Sequence, residues 1–271
     1  MQLSIDDARL DVTDEGHGPA LVLLHGFPLA KEAWDAQAAA LAANARVVRF
    51  DLRGLGTSSV TMGPYLMESL ASDVAGVLDA LGIERATVAG HSLGGYVAFA
   101  FFRLFSERCA GLGIACSRAN ADDAATAAGR ESLATRAELE GIAPIAEAFV
   151  PRYFAPSVLR ERPDLVARAH ALIAPTSPLG AAAMLRGMAA RVSSEDLFDE
   201  IDVPVRVIAG IDDVFVSVDR MAEIANGIRG AKLDVLACGH FPLWELPEAT
   251  TASLAGLLDD VAAATARGAR A

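Results

Sequence analysis

Three residue types spaced along this chain could together break an acyl bond: a serine in a glycine turn, an acidic pair after a strand, and a late histidine. The serine is Ser92, in Gly90-His91-Ser92-Leu93-Gly94-Gly95. This stretch fits G-x-S-x-G, and it stands directly between a β-branched run and a helical pattern. A sharp strand-to-helix turn pushes such a serine into an exposed, strained position. Glycines on either side remove Cβ atoms that would strike neighbouring backbone. The following helix N-terminus then points its positive end at any oxyanion that forms.

A serine hydroxyl needs a base. The chain has five histidines: His17, His25, His91, His170 and His240. His91 adjoins Ser92, and the turn directs the two side chains apart. His17 lies in a glycine-rich N-terminal loop and reads as solvated. His170 lies in a proline-rich region and reads as a surface residue. His25 belongs to a separate motif, His25-Gly26-Phe27-Pro28. His240 is left, in Cys238-Gly239-His240-Phe241-Pro242, just after the last strand-like run. Loops at the C-terminal ends of parallel strands are where reacting groups gather in open α/β sheets. Elimination and position therefore make His240 the base.

A third group must hold the histidine tautomer and offset its charge. Gly210-Ile211-Asp212-Asp213 follows a strand-like run directly. Spacing does not choose between the two acids, because only one can face the histidine. The oxyanion needs two backbone N–H donors. Leu93, next to the nucleophile, is one. In the His25 loop Pro28 has no N–H, which leaves Phe27 as the other, with Gly26 giving the backbone freedom.

These residues must be positioned by repeated βαβ units. Strand-like runs fall at 20–24, 47–51, 86–89, 111–116, 205–209 and 233–236, several apolar on both faces as buried parallel strands are. Helical patterns fall at 34–43, 67–81, 93–105, 218–228 and 247–266. The alternation predicts a mostly parallel sheet of about eight strands flanked by helices. Residues 3–12, with Asp6-Asp7 central, read as an antiparallel hairpin at its edge. Ser217 reads as the N-cap of the helix from Val218. Between 117 and 200 strand patterns vanish, six of the twelve prolines cluster, and short helical pieces such as 181–191 persist. This reads as a helical insertion, 117–200, in a core made of 1–116 and 201–271. The tail, 265–271, is expected to fray.

Together these segments resemble the α/β-hydrolase family, over nearly the whole chain. The chain order of nucleophile, acid and histidine is the family's. His25-Gly26-Phe27-Pro28 is similar to its oxyanion loop. Asp51-Leu52-Arg53-Gly54-Leu55-Gly56-Thr57-Ser58 is similar to its D-x-R-G-x-G-x-S segment. Gly210-Ile211-Asp212-Asp213 is similar to its G-x-x-D loop, which selects Asp213. The resemblance extends to small bacterial carboxylesterases and enol-lactone hydrolases, on Met184-Leu185-Arg186-Gly187-Met188. Leu55 and Ser217 depart from the family pattern, which often has a histidine or aromatic at the first and proline at the second. A serine nucleophile sets the chain apart from the dehalogenases and epoxide hydrolases of the fold, which use aspartate. The resemblance implies that the insertion is a lid, and that His25, Phe149, Phe154, Met184 and Phe241 contribute to a substrate pocket.

The implied chemistry is two-step acyl transfer on an ester or lactone, with no cofactor or metal. An imidazole base makes such activity rise with pH through roughly 6 to 7. C–C bond hydrolysis or perhydrolysis on the same triad, and a non-catalytic ligand receptor, are the competing readings. The chain has 271 residues and a net charge of −12, which disfavours nucleic-acid and anionic-membrane partners. No apolar run reaches membrane-spanning length, and the N-terminal stretch lacks the features of a secretory signal. Three cysteines without metal spacing suit a reduced, cytoplasmic protein. Cys116 and Cys238 flank catalytic loops, and ordinary packing is the expectation for both. A monomer or homodimer acting on a small molecule is the expected assembly.

Overall fold

The computed structural model describes residues 1–268. Eight strands form one sheet: β1 (Gln2–Ile5), β2 (Ala8–Glu15), β3 (Ala20–Leu24), β4 (Arg46–Phe50), β5 (Ala86–His91), β6 (Cys109–Ala115), β7 (Val205–Gly210) and β8 (Lys232–Leu236). Their order across the sheet is β1-β2-β4-β3-β5-β6-β7-β8. The β1/β2 hairpin and the β2/β4 pair are antiparallel, and every pair from β4/β3 onward is parallel. Every residue of β5 is buried, as a central strand covered on both faces must be. The expected strands are all present, with ends moved by a residue or two.

Two apolar layers cover the sheet. On one side α2 (Met67–Ala80), α3 (Leu93–Phe105) and α9 (Val218–Gly227) pack on Val22, Val88 and Leu112. On the other, α1 (Asp35–Leu41) and α11 (Pro247–Gly268) meet Leu21, Leu23 and Val47. Helix α3 is apolar nearly all round and ten of its thirteen residues are buried, so it lies in the interior instead of capping a surface. Helix α9 buries only Met221 and Ile224, and its Ser217 cap accepts from the Arg220 N–H.

Between β6 and β7 the chain makes five helices: α4 (Ala124–Glu140), α5 (Ala143–Tyr153), α6 (Pro156–Glu161), α7 (Pro163–Ile173) and α8 (Pro178–Ala189). Four begin with proline in the first turn, where the missing N–H has no intrahelical role anyway. Four of the six clustered prolines that ended the strand pattern are therefore helix starts, while Pro151 lies inside α5 and Pro175 in the turn before α8. The short helix α10 (Pro242–Glu245) precedes α11. Helix α11 continues to Gly268, so the expected fraying from Thr265 does not occur there, and residues 269–271 of that expectation lie outside the described residues. No helix among the described residues is long and apolar enough to cross a membrane.

The D-x-R-G-x-G-x-S segment after β4 is built from internal contacts. The Asp51 carboxylate accepts from the N–H groups of Lys31 and Thr57, and a Cβ on Gly56 would lie 2.2 Å from it. Arg53 makes a two-pronged pair with the buried Asp73. Leu55 is fully buried in the core, which explains an aliphatic residue at that position.

Candidate active site

Ser92 stands between β5 and α3 with φ 53° and ψ −113°, backbone angles that a residue with a Cβ holds only when its surroundings enforce them. The glycines show how. A Cβ on Gly90 would lie 2.0 Å from the Gly94 backbone, and one on Gly94 would lie 2.3 Å from the Leu24 carbonyl oxygen. The turn therefore packs backbone against backbone. The Ser117 hydroxyl donates to the Ser92 carbonyl at 2.7 Å, tying the turn to the end of β6.

His240 lies beyond β8 and is almost wholly buried. Its Nε2 is 2.9 Å from Ser92 Oγ, and its Nδ1 is 2.8 Å from Asp213 Oδ2. Asp213 accepts at Nδ1, so that nitrogen carries the proton and Nε2 presents its lone pair to the serine O–H. The Asp213 carboxylate also accepts from the N–H groups of Phe215 (2.7 Å) and Val216 (3.0 Å). Burial alone would raise its pKa, but the His240 ring and these donors outweigh burial, and the carboxyl stays below its ordinary value. Asp212 is exposed. The structure thus brings Ser92, His240 and Asp213 into one hydrogen-bonded row and leaves Asp212 out.

His91 is buried beside this row. Its Nε2–H donates to the His240 carbonyl at 2.7 Å, and its ring centroid lies 5.0 Å from that of His240. Burial, with the His240 ring beside it, pushes its imidazole down to about 3. Sequence reasoning placed the side chain away from the serine but gave it no partner. Glu245 is a second unanticipated contact. Its carboxylate accepts from the Gly239 N–H (2.9 Å) and the Ala155 N–H (3.0 Å), joining the histidine loop to the segment after α5.

A cavity of about 370 Å³ opens over Ser92 and His240. Phe27 borders it, and Leu93 opens α3, where backbone N–H groups lack intrahelical acceptors. The Tyr153 hydroxyl donates to the Phe27 carbonyl at 2.7 Å and fixes that loop. Gly26, expected to give the loop backbone freedom, has a φ that is not positive. Its reason is space, since a Cβ there would lie 2.6 Å from His91 Nδ1.

Of the side chains expected to wall a pocket, Phe149 does so. The other four are corrected. His25 is fully buried with both ring nitrogens occupied, Nδ1 against the Gly26 carbonyl and Nε2 accepting from the Leu52 N–H, so it braces the loop. Phe154 and Phe241 pack against each other, rings tilted at 53°, in the second core cluster. Met184 faces the core from α8, and one residue's rotation puts Leu185 and Met188 on the cavity instead. Missed altogether were Tyr96, Phe215, Arg118, Arg130 and Arg152. For Arg118 a signal existed, since it lies three residues past the end of β6, where ligands approach such sheets. The three cysteines are free and buried. Burial pushes the Cys238 thiol up to about 12 and raises the Cys116 thiol well above its ordinary value, which removes nucleophilic character from both.

The sheet order, the elbow and the hydrogen-bonded row define a family. The chain belongs to the α/β-hydrolase fold family, whose model matches residues 19–247. Over 249 residues it is 29% identical to 3-oxoadipate enol-lactonase 2 of Acinetobacter baylyi, covering 91% of this chain and 92% of that protein. A thermophilic esterase from Thermogutta terrifontis, solved with malate bound, superposes with a TM-score of 0.93 at 34% identity, over 96% of this chain and 98% of that one. The enol-lactonase of Burkholderia xenovorans LB400 superposes at 0.90 with 27% identity, over 96% and 100%. These relatives agree with the expectation of a hydrolytic enzyme.

Proposed function

We propose that this chain is a serine hydrolase that cleaves a small carboxylic ester or lactone through an acyl-enzyme. The observation that carries the reading is the row Ser92 Oγ, His240 Nε2, His240 Nδ1, Asp213 Oδ2, with spacings of 2.9 and 2.8 Å, at the foot of a cavity. His240 takes the Ser92 proton as the hydroxyl oxygen attacks the carbonyl carbon. The N–H groups of Phe27 and Leu93 receive the oxyanion. His240 returns the proton to the leaving oxygen, and an acyl-serine remains. Water, deprotonated by His240, then attacks it, and Ser92 regains its proton as the acid departs. Asp213 holds Nδ1–H throughout and offsets the imidazolium charge.

Residues 117–200 serve in this reading as a lid. Support comes from the cavity walls, since α4 contributes Leu133, α5 contributes Phe149 and α8 contributes Leu185 and Met188. Labelling with a fluorophosphonate, read by intact mass and peptide mapping, tests the proposal. One adduct on Ser92, absent from the folded Ser92→Ala variant, is the expected result. No adduct on folded wild type would overturn it and favour a ligand-binding protein.

A further inference from the structure

The chain as a whole is acidic, with 35 Asp and Glu against 23 Lys and Arg. The cavity over Ser92 reverses this balance. Its walls include Arg118, Arg130 and Arg152 and no Asp or Glu. Arg130 is neutralised by the buried Asp122, but that same carboxylate also accepts from Arg191 at 2.7 Å, so two guanidinium groups share one acid. Asp213 lies behind His240 with its oxygens already engaged. The remaining two arginines form no ion pair with a carboxylate among the described residues. Both converge on Phe215. The half-buried Arg118 donates through Nη2 to the Phe215 carbonyl, and the Arg152 guanidinium lies 4.1 Å from the centre of the Phe215 ring. That ring is 4.6 Å from the His240 ring, centre to centre.

We propose that this cavity selects esters or lactones bearing a free carboxylate, which Arg118 and Arg152 hold beside His240; the inference rests on the hydrolase reading above. Arg118 commits one nitrogen to the Phe215 carbonyl, which fixes the plane of its guanidinium and leaves the other N–H groups for a ligand. A planar fork of this kind matches a carboxylate with two parallel hydrogen bonds. Leu133, Phe149, Leu185 and Met188 add apolar wall to the same cavity, so the half-buried Arg118 attracts an anion more strongly than it would in water, while the exposed Arg152 meets it from the solvent side. Those same walls suit the short carbon chain that joins the carboxylate to the scissile group. The volume, about 370 Å³, is that of a small-molecule site.

The test compares matched esters on the full chain by titrating released acid. Monomethyl glutarate carries its carboxylate on the acyl side and is matched by methyl pentanoate. 3-Acetoxypropanoate carries it on the alcohol side and is matched by propyl acetate. One anionic ester is expected to exceed its neutral match in kcat/KM by about tenfold or more at low ionic strength. Arg118→Gln and Arg152→Gln should each lower that ratio roughly ten- to a hundredfold, with partial recovery in the lysine variants. Using a ratio cancels general damage to the site, and circular dichroism verifies folding. Equal or better turnover of the neutral esters, or an anion preference that survives both substitutions, overturns the proposal. If none of the four esters is turned over, calorimetry with glutarate separates the two claims. Binding that is lost in the double variant keeps the carboxylate site while the ester reading fails, and absent binding overturns the site as well.

Discussion

His91 makes the fold acid-sensitive by an amount that follows from its burial. Its imidazole is held down to about 3 in the folded chain, against 6.5 when exposed. Between those values an unfolded molecule binds a proton that the folded one refuses, so stability falls as pH drops below 6.5 and is fully restored above it. At about 1.4 kcal/mol per pH unit, going from 6.5 to pH 5.0 costs about 2 kcal/mol from this residue alone. His91→Gln keeps a donor for the His240 carbonyl and cannot titrate. Urea unfolding at pH 7.5 and 5.0 would be measured for both proteins. Wild type is expected to lose about 2 kcal/mol more than the variant between the two pH values. His25, also held low by burial, acts equally in both proteins and drops out of the comparison. Identical pH dependence in the two would refute the argument, because it would mean that His91 either protonates in place or is exposed.

Other outcomes follow from the same geometry. Asp213→Asn should lower kcat on a p-nitrophenyl ester by roughly 10⁴, and Asp212→Asn should leave it within about twofold; steady-state assays of both variants check the choice of acid. Tyr153→Phe strips the Phe27 carbonyl of its donor and should cost about 1–3 kcal/mol in urea unfolding, together with a lower kcat. Gly94→Ala forces a Cβ to 2.3 Å from the Leu24 carbonyl oxygen and should abolish soluble folded protein. Gly129→Ala, in α4 with open space around it, should instead stabilise by about 0.5–1 kcal/mol in thermal unfolding.

The row of Ser92, Asp213 and His240 was legible because each residue sits within four residues of a strand's C-terminal end, and strand ends are marked by abrupt changes in residue type. The adjacent acids show where that logic stops. Both follow β7, and only the turn decides that Asp213 enters and Asp212 faces water. Cavity walls were harder still. Periodicity identifies the apolar positions of α8, but Met184 and Leu185 are equally apolar, and the rotation of the helix sends one to the core and the other to the cavity. His25 misled for a related reason, since a histidine next to a glycine turn reads as available until both ring nitrogens are found bonded to the loop. Arg118 and Arg152 carry no sequence signal of pairing. Their significance comes from the absence of an ion-paired carboxylate among the described residues, and spacing along the chain does not record that.

The two contacts made by residues 153–155 have a consequence for how this protein could change over generations. Tyr153 holds the Phe27 loop, and the Ala155 N–H shares the Glu245 carboxylate with the histidine loop. One of these requirements is a hydroxyl and the other is a backbone N–H, which any residue except proline supplies. Helix α8 is fixed as well, by the close approach of Gly180 and Gly187 to the Gly54 and Tyr65 carbonyl oxygens, but α4 and α6 bury few residues and are freer to drift, and with α4 the range of molecules admitted. A graft that ends α5 one residue early or late would misplace both anchors at once. Recombination within this fold should accordingly favour crossover points outside 153–155.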